Sequence, residues 1–183
     1  MDLIARLAEG LASRLRVIFY RALGMRIRGR VSLRKIEVRR RARCITLEDG
    51  AALDRGVVLL ATSDAARIVI GPRTYINRGT MIDADALIEI GEQTMIGPFC
   101  YITDHDHSFA AGAAPAAGPL ISAATHIGAR CWIGAHVTIL KGVTVGEGSV
   151  VGAGSVVTGS LPPGVVAVGN PARVVRTLGT EGA

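Results

Sequence analysis

Between residues 127 and 158 the chain reads IGARCWIGAHVTILKGVTVGEGSVVGAGSVVT, and every sixth residue is alike. Ile127, Ile133, Ile139, Val145, Val151 and Val157 are all β-branched and aliphatic, and Gly128, Gly134, Gly146 and Gly152 follow four of them directly. An amphipathic helix would space its apolar residues by three and four, and a half-buried strand would alternate them. A strict step of six fits neither. It fits a solenoid in which short strands alternate with tight turns, three steps closing one coil of about 18 residues. The aliphatic residue points inward. The small residue after it stands at a corner, where a Cβ would crowd or φ be positive. One coil cannot bury its own inner face, so several must stack.

The same step runs through Leu47, Leu53 and Leu59, then Ile70, Ile76 and Ile82, then Ile90, Ile96 and Ile102. It breaks at 62–67, slips before Ile90 and stops at Asp104. From there DHDHSFAAGAAPAAGPLISAAT forms an inserted loop over 104–125, rich in Ala, Gly and Pro. Such a long insertion costs a solenoid little and usually has a use. Aromatic residues make up only 4% of the chain, as a narrow prism filled with β-branched side chains requires.

The net charge of +6 is unevenly placed. Residues 1–44 hold thirteen Lys or Arg against three acids, while the rest is acidic on balance. Leu3, Ile4, Leu7, Leu11, Leu15, Ile18 and Phe19 recur at steps of three and four with arginines between them, which predicts an amphipathic helix ending near Gly24. The plainer reading is a cap on the open end of the solenoid with a solvated basic face; the sharper one is contact with an anionic membrane surface. No recognition motif accompanies the charge, which argues against nucleic acid. The reading is therefore a basic helical arm over 1–44, a solenoid over 45–177 and a flexible tail over 178–183. Cys44, Cys100 and Cys131 lack paired spacing and suit a reducing, cytoplasmic compartment, and Cys100 and Cys131, inside repeat segments, read as packed thiols.

Asp104, His105, Asp106 and His107 open the insertion. A histidine there has a pKa suited to proton transfer, and a neighbouring carboxylate can fix its tautomer. Moving an acyl group from a thioester to a hydroxyl needs such a base and a donor for the tetrahedral oxyanion. From the residues alone either imidazole fits.

The motifs IGPRTYINRGTMID, IGEQTMIGPFCYITDHDHSF, HIGARCWIGAHVTILKGVTVGEGSVVGAGSVVT and LPPGVVAVGNPARVVR resemble the hexapeptide-repeat acyltransferases, in the branch of the maltose and galactoside O-acetyltransferases. The resemblance implies an all-β, left-handed parallel β-helix, a homotrimer and acetyl-CoA as co-substrate. It implies that His107, nine residues after Pro98, is the general base, with His105 in reserve. It places Asn77 and Asp83 at the acceptor, and Trp132, Gly134, Ala135, Ala153, Thr158, Arg173 and Arg176 along coenzyme A, where flat small residues admit the pantetheine arm and arginines pair the phosphates. His126 and His136 read as outer-face residues. Gly159 stands where such relatives often carry Lys, and no acidic residue follows Asp106 in the insertion, a departure that favours a cell-surface saccharide over maltose or galactoside as acceptor.

Two other functions compete. A non-catalytic scaffold would bind no coenzyme A. The γ-class carbonic anhydrases share this coil, but the three convergent histidines of a zinc site are not spaced that way here, and no metal is expected.

Overall fold

The computed structural model describes residues 3–109, 114 and 118–179. Helix α1 (Leu3–Ala22) precedes strands that wind in threes. The first coil comprises β1 (Arg26–Ile27), β2 (Ser32–Leu33) and β3 (Glu37–Arg39); the second, β4 (Ile45–Leu47), β5 (Ala52–Leu53) and β6 (Val58–Ala61). The third holds β7 (Arg67–Ile70), β8 (Tyr75–Ile76) and β9 (Met81–Ala84); the fourth, β10 (Leu87–Ile90), β11 (Met95–Ile96) and β12 (Tyr101–Thr103). A hairpin of β13 (His105–His107) and β14 (Leu120–Ser122) interrupts the winding. It resumes with β15 (Thr125–Ile127), β16 (Trp132–Ile133) and β17 (Thr138–Ile139), then β18 (Thr144–Val145), β19 (Val150–Val151) and β20 (Val156–Val157). β21 (Val165–Gly169) adds one more strand, and β22 (Ala172–Thr177) folds back antiparallel on it.

Three parallel sheets result. Face A stacks β1-β4-β7-β10-β15-β18, face B stacks β2-β5-β8-β11-β16-β19-β21-β22, and face C stacks β3-β6-β9-β12-β17-β20. Register places each repeat aliphatic on its equivalent one coil away, as in Ile90 on Ile127 and Ile96 on Ile133. These side chains are essentially fully buried and form one continuous core. Each contributes about 1.5–3 kcal/mol relative to exposure.

Crowding and positive φ belong to two different residues of the repeat. The glycine after the aliphatic meets the neighbouring coil's backbone: a Cβ on Gly91 would lie 2.5 Å from the Ala129 nitrogen, and one on Gly97 2.7 Å from the Ala135 nitrogen. Positive φ falls two residues later, on Gly148 and Gly154 and also on Arg73, Gln93, Phe99, Arg130 and His136. The next position satisfies the corner carbonyls. Thr74, Thr80 and Thr94 donate to the carbonyls of Gly91, Gly97 and Gly128 at 2.7, 2.9 and 2.8 Å. Cys100 and Cys131 occupy the same station, their thiols 3.1 and 3.3 Å from the Gly134 and Gly146 carbonyls, and burial pushes both thiol pKa values up.

The breaks in the six-residue rhythm map to a single edge. Where the chain passes from face C to face A it needs the irregular segments 40–44, 62–66, 85–86 and 104–124, while the other corners of the second to sixth coils stay regular. The solenoid also starts earlier than the sequence reading placed it. The expected boundary at 44/45 falls after one complete coil, since β1, β2 and β3 pair in register with β4, β5 and β6. Ile27 and Leu33 keep the step of six, but arginines fill the outward positions and give the segment the look of an arm. At the other end the Leu178 N–H donates to the Gly164 carbonyl at 2.6 Å, and residues 180–183 of the expected tail lie outside the described residues.

Helix α1 caps the first coil, but with the opposite face to the one expected. Ser13 and Val17 are buried against the coil. The Ser13 hydroxyl accepts the Leu33 N–H at 2.8 Å, Arg16 donates to the Leu33 carbonyl at 3.0 Å, and the Tyr20 hydroxyl donates to the Ile36 carbonyl at 3.2 Å. These bonds satisfy backbone groups that no further coil pairs. The apolar stripe points away from the coil.

Gly91→Ala should destabilise by about 1–3 kcal/mol, because rigid backbone occupies the space of the new methyl. Gly159→Ala, with nothing within 4 Å of the new Cβ, should stay within about 0.5 kcal/mol. Urea unfolding of the two variants distinguishes them; equal losses would contradict the close-approach account.

Candidate active site

Two clusters stand out, on different faces. The first is a groove of about 420 Å³ along face B, lined by Tyr75, Asn77, Met95, Pro98, Trp132 and Ala153 with the small turn residues between them. Its floor is flat because Gly97, Gly134, Ala135, Gly152 and Ala153 carry little or no side chain. Trp132 is 59% exposed and forms one wall. Asn77 bends back, its Oδ1 accepting the Arg78 N–H at 2.8 Å. Thus Asn77, Trp132, Gly134, Ala135 and Ala153 line one groove. Arg173 and Arg176 lie exposed on β22, at the edge of the same sheet. Thr158 does not join them: it follows β20, at the end of face C.

The second cluster lies where face C turns into the hairpin. Asp104 is fully buried, and its two carboxylate oxygens accept the N–H groups of Asp85 and Ala86, each at 2.8 Å. That fixed carboxylate also holds His105, whose Nδ1 is 3.0 Å from Asp104 Oδ1. An Nδ1–H donated to Asp104 leaves Nε2 as the basic nitrogen. It points towards Asp83, 4.0 Å from Oδ1. Asp83 takes the Tyr101 hydroxyl on Oδ2 at 3.3 Å, while its buried Oδ1 has no hydrogen-bond partner. Burial raises the Asp83 pKa, against the opposing pull of His105 and the Tyr101 hydroxyl. Asp85 goes the other way, held low first by the Ser122 hydroxyl at 2.6 Å and also by Thr62 at 2.8 Å.

The hairpin is pinned at its base. Ser122 bonds Asp85, the Ala123 N–H donates to the Asp104 carbonyl at 2.8 Å, and Lys141 pairs with Asp106 at 3.1 Å. His107 sits across from Leu120 in the hairpin register and is exposed. His105 and His107 are two apart on one strand, yet the side chain of His105 is only 9% exposed. His126, beside Glu89 at 3.4 Å, and His136, stacked on Phe99 with ring centroids 5.3 Å apart, lie on the outside as expected. Among the described residues no group of three His, Cys, Asp or Glu could hold a metal.

Asp85, Ser122 and Tyr101 escaped the sequence reading, and Asp104 entered it only as a neighbour of the histidines, not as the acceptor of the Asp85 and Ala86 N–H groups. Their partners lie about a coil or more away in sequence, so no local spacing announces them. The available signal was that Asp85 and Asp104 both sit where the rhythm of six breaks.

Residues 124–159 match the family model described as bacterial transferase hexapeptide (six repeats). No curated protein matches the sequence significantly. Among solved structures, a galactoside acetyltransferase in complex with coenzyme A is 34% identical, with a TM-score of 0.66 over 73% of this chain and 64% of that one. A hexapeptide-repeat-containing acetyltransferase from Vibrio cholerae, complexed with acetyl coenzyme A, is 27% identical, with a TM-score of 0.65 over 91% and 78%. AntD, an N-acyltransferase from Bacillus cereus in complex with dTDP and 3-hydroxybutyryl-CoA, shares the fold at 20% identity, with a TM-score of 0.77 over 89% and 88%.

The raised Asp83 pKa has a stability consequence. The folded state holds this proton more tightly than the unfolded chain, so stability falls as pH rises from the ordinary carboxylate range through the folded pKa. Asp83→Asn should remove that fall, seen as a flatter plot of melting temperature against pH. An unchanged slope would show that burial does not raise the Asp83 pKa.

Proposed function

Starting from a hexapeptide-repeat chain with the left-handed β-helix fold of the acyltransferases, we propose that it moves an acetyl group from acetyl-CoA to a hydroxyl of a saccharide, at sites formed between copies of a homotrimer. The observation that carries this reading is the separation of the two clusters. The groove fits an extended thioester but includes neither His105 nor His107. Those rings stand over the end of face C, and a rotation that sets face C of one copy against face B of the next joins them. Such a head-to-tail contact closes into a ring if the rotation is threefold. Thr158, at the same edge as the hairpin, would then come from the copy that brings His107.

The groove has the shape this substrate asks for. Small residues let the pantetheine arm lie flat, Trp132 covers one side, and Arg173 and Arg176 are placed on the same sheet to pair phosphates. The bound thioester supplies an activated acyl carbonyl. A general base must reach the hydroxyl it deprotonates. The exposure of His107 supports it as that base, whereas the His105 side chain, only 9% exposed beside Asp104 and Asp83, is read as a positioning residue at the hairpin base. As the acceptor oxygen bonds to the carbonyl carbon, His107 takes its proton. It returns the proton to the departing coenzyme A sulfur as the carbon–sulfur bond breaks. Asn77, in the groove beside the turn, is placed to hold the acceptor.

Thiol release from acetyl-CoA against a panel of sugars and saccharides tests the reading. His107→Ala should lower turnover by about 10²- to 10⁴-fold with the melting temperature unchanged. Coenzyme A should raise the melting temperature of both forms, since a ligand of the folded state stabilises it. Activity lost in His105→Ala but kept in His107→Ala would move the base to His105. No melting shift and no thiol release would favour the scaffold.

A further inference from the structure

The outer side of α1 is a second surface, independent of the acyl-transfer site. Ile4, Leu7, Leu11, Leu15, Ile18 and Phe19 form one stripe along the helix, each between 57% and 73% exposed. They lie opposite Ser13, Val17 and Tyr20, which face the first coil. A stripe of this length on a soluble face marks an interaction surface rather than scattered apolar residues.

Its flank identifies the occupant. Along one side of α1 run two adjoining grooves of about 440 and 590 Å³, which share Arg14, Arg30 and Val31. Arg6, Arg14, Arg21, Arg30 and Arg34 line them. Arg34 pairs with Asp54 at 3.4 Å, and Glu9, the one acid in the lining, pairs with Arg16 at 2.6 Å. Arg6, Arg14 and Arg30 have no carboxylate within ion-pair distance among the described residues. Guanidinium groups recognise phosphate oxygens in bidentate fashion. The helix thus presents an apolar stripe edged by a row of phosphate-competent cations.

We propose that this face lies in the headgroup region of an anionic phospholipid bilayer, with the leucine stripe among the upper acyl chains and the arginine grooves on the lipid phosphates. An amphipathic helix of this kind rests in the plane of the interface. No helix of the described residues is long and apolar enough to cross a membrane, so the contact is peripheral. A nucleic acid would satisfy the arginines but leave the leucines in water. A second copy would cover the leucines but bring like-charged rows together. A bilayer with negative headgroups satisfies both sets, each basic residue near its surface adding about 1 kcal/mol.

Flotation of the full-length chain with vesicles of phosphatidylcholine alone, and of phosphatidylcholine with phosphatidylglycerol, tests the proposal. The protein should float with the anionic vesicles only, and less at high salt. Leu11→Glu/Leu15→Glu and Arg6→Glu/Arg14→Glu alter exposed side chains and should leave the melting temperature unchanged. Each pair should weaken binding by at least about tenfold. The proposal is overturned if the protein stays in the aqueous fraction with phosphatidylglycerol present, or if both double variants float like the original. It is also overturned if the leucine pair changes the particle mass in sedimentation, which would place the stripe between copies of the chain.

Discussion

Everything in this molecule depends on how closely one coil lies on the next. Parallel strands hydrogen-bond at a spacing of about 4.8 Å, and at the Ile-Gly corners the backbones approach until no Cβ fits between them. That approach fixes the register. With register fixed, each position of the repeat becomes a column: aliphatics on aliphatics in the core, hydroxyls and thiols on corner carbonyls, outward residues in rows on a face. The chain can depart from this order only where a corner can bulge into solvent, and four coils do so at the same edge.

Concentrating the irregularity at one edge gives that edge its chemistry. Asp85 and Asp104 are not repeat residues; they stitch irregular corners together, and Asp104 does so with both oxygens. A carboxylate so held is a rigid acceptor, and His105 inherits its rigidity. The hairpin then carries His107 outward from a fixed base. The regular faces offer what an edge cannot: a long flat groove. The groove and the histidines therefore lie on different parts of the prism, and the site proposed from them needs a second copy to join them.

Much of the coil was legible because a period of six has no rival among ordinary helices and strands. The inward residues, the corner glycines and the place of the insertion all follow from Ile127–Thr158 and its weaker echoes. The first coil was harder to see, since arginines at its outward positions outweigh Ile27 and Leu33 in any reading by charge. The contacts that stitch Asp85 to its neighbours were hidden for another reason. They join residues far apart in sequence, such as Ala86 with Asp104 and Asp85 with Ser122, through corners that do not repeat. The helix shows a third limit. Periodicity reveals that α1 has an apolar side but not which side packs, and here the hydrogen-bonding needs of an unpaired coil edge draw Ser13, Arg16 and Tyr20 inward.

Subunit complementation tests the divided site most directly. Chains carrying His107→Ala and chains carrying Ala153→Trp, which fills the groove, would each be inactive alone. Mixed, dissociated and reassembled, they should recover a sizeable part of the wild-type acetyl transfer, because some interfaces then pair an intact groove with an intact His107. Reassembled mixtures of normal oligomeric mass that stay as inactive as either parent would show that one copy supplies both halves, contrary to this account.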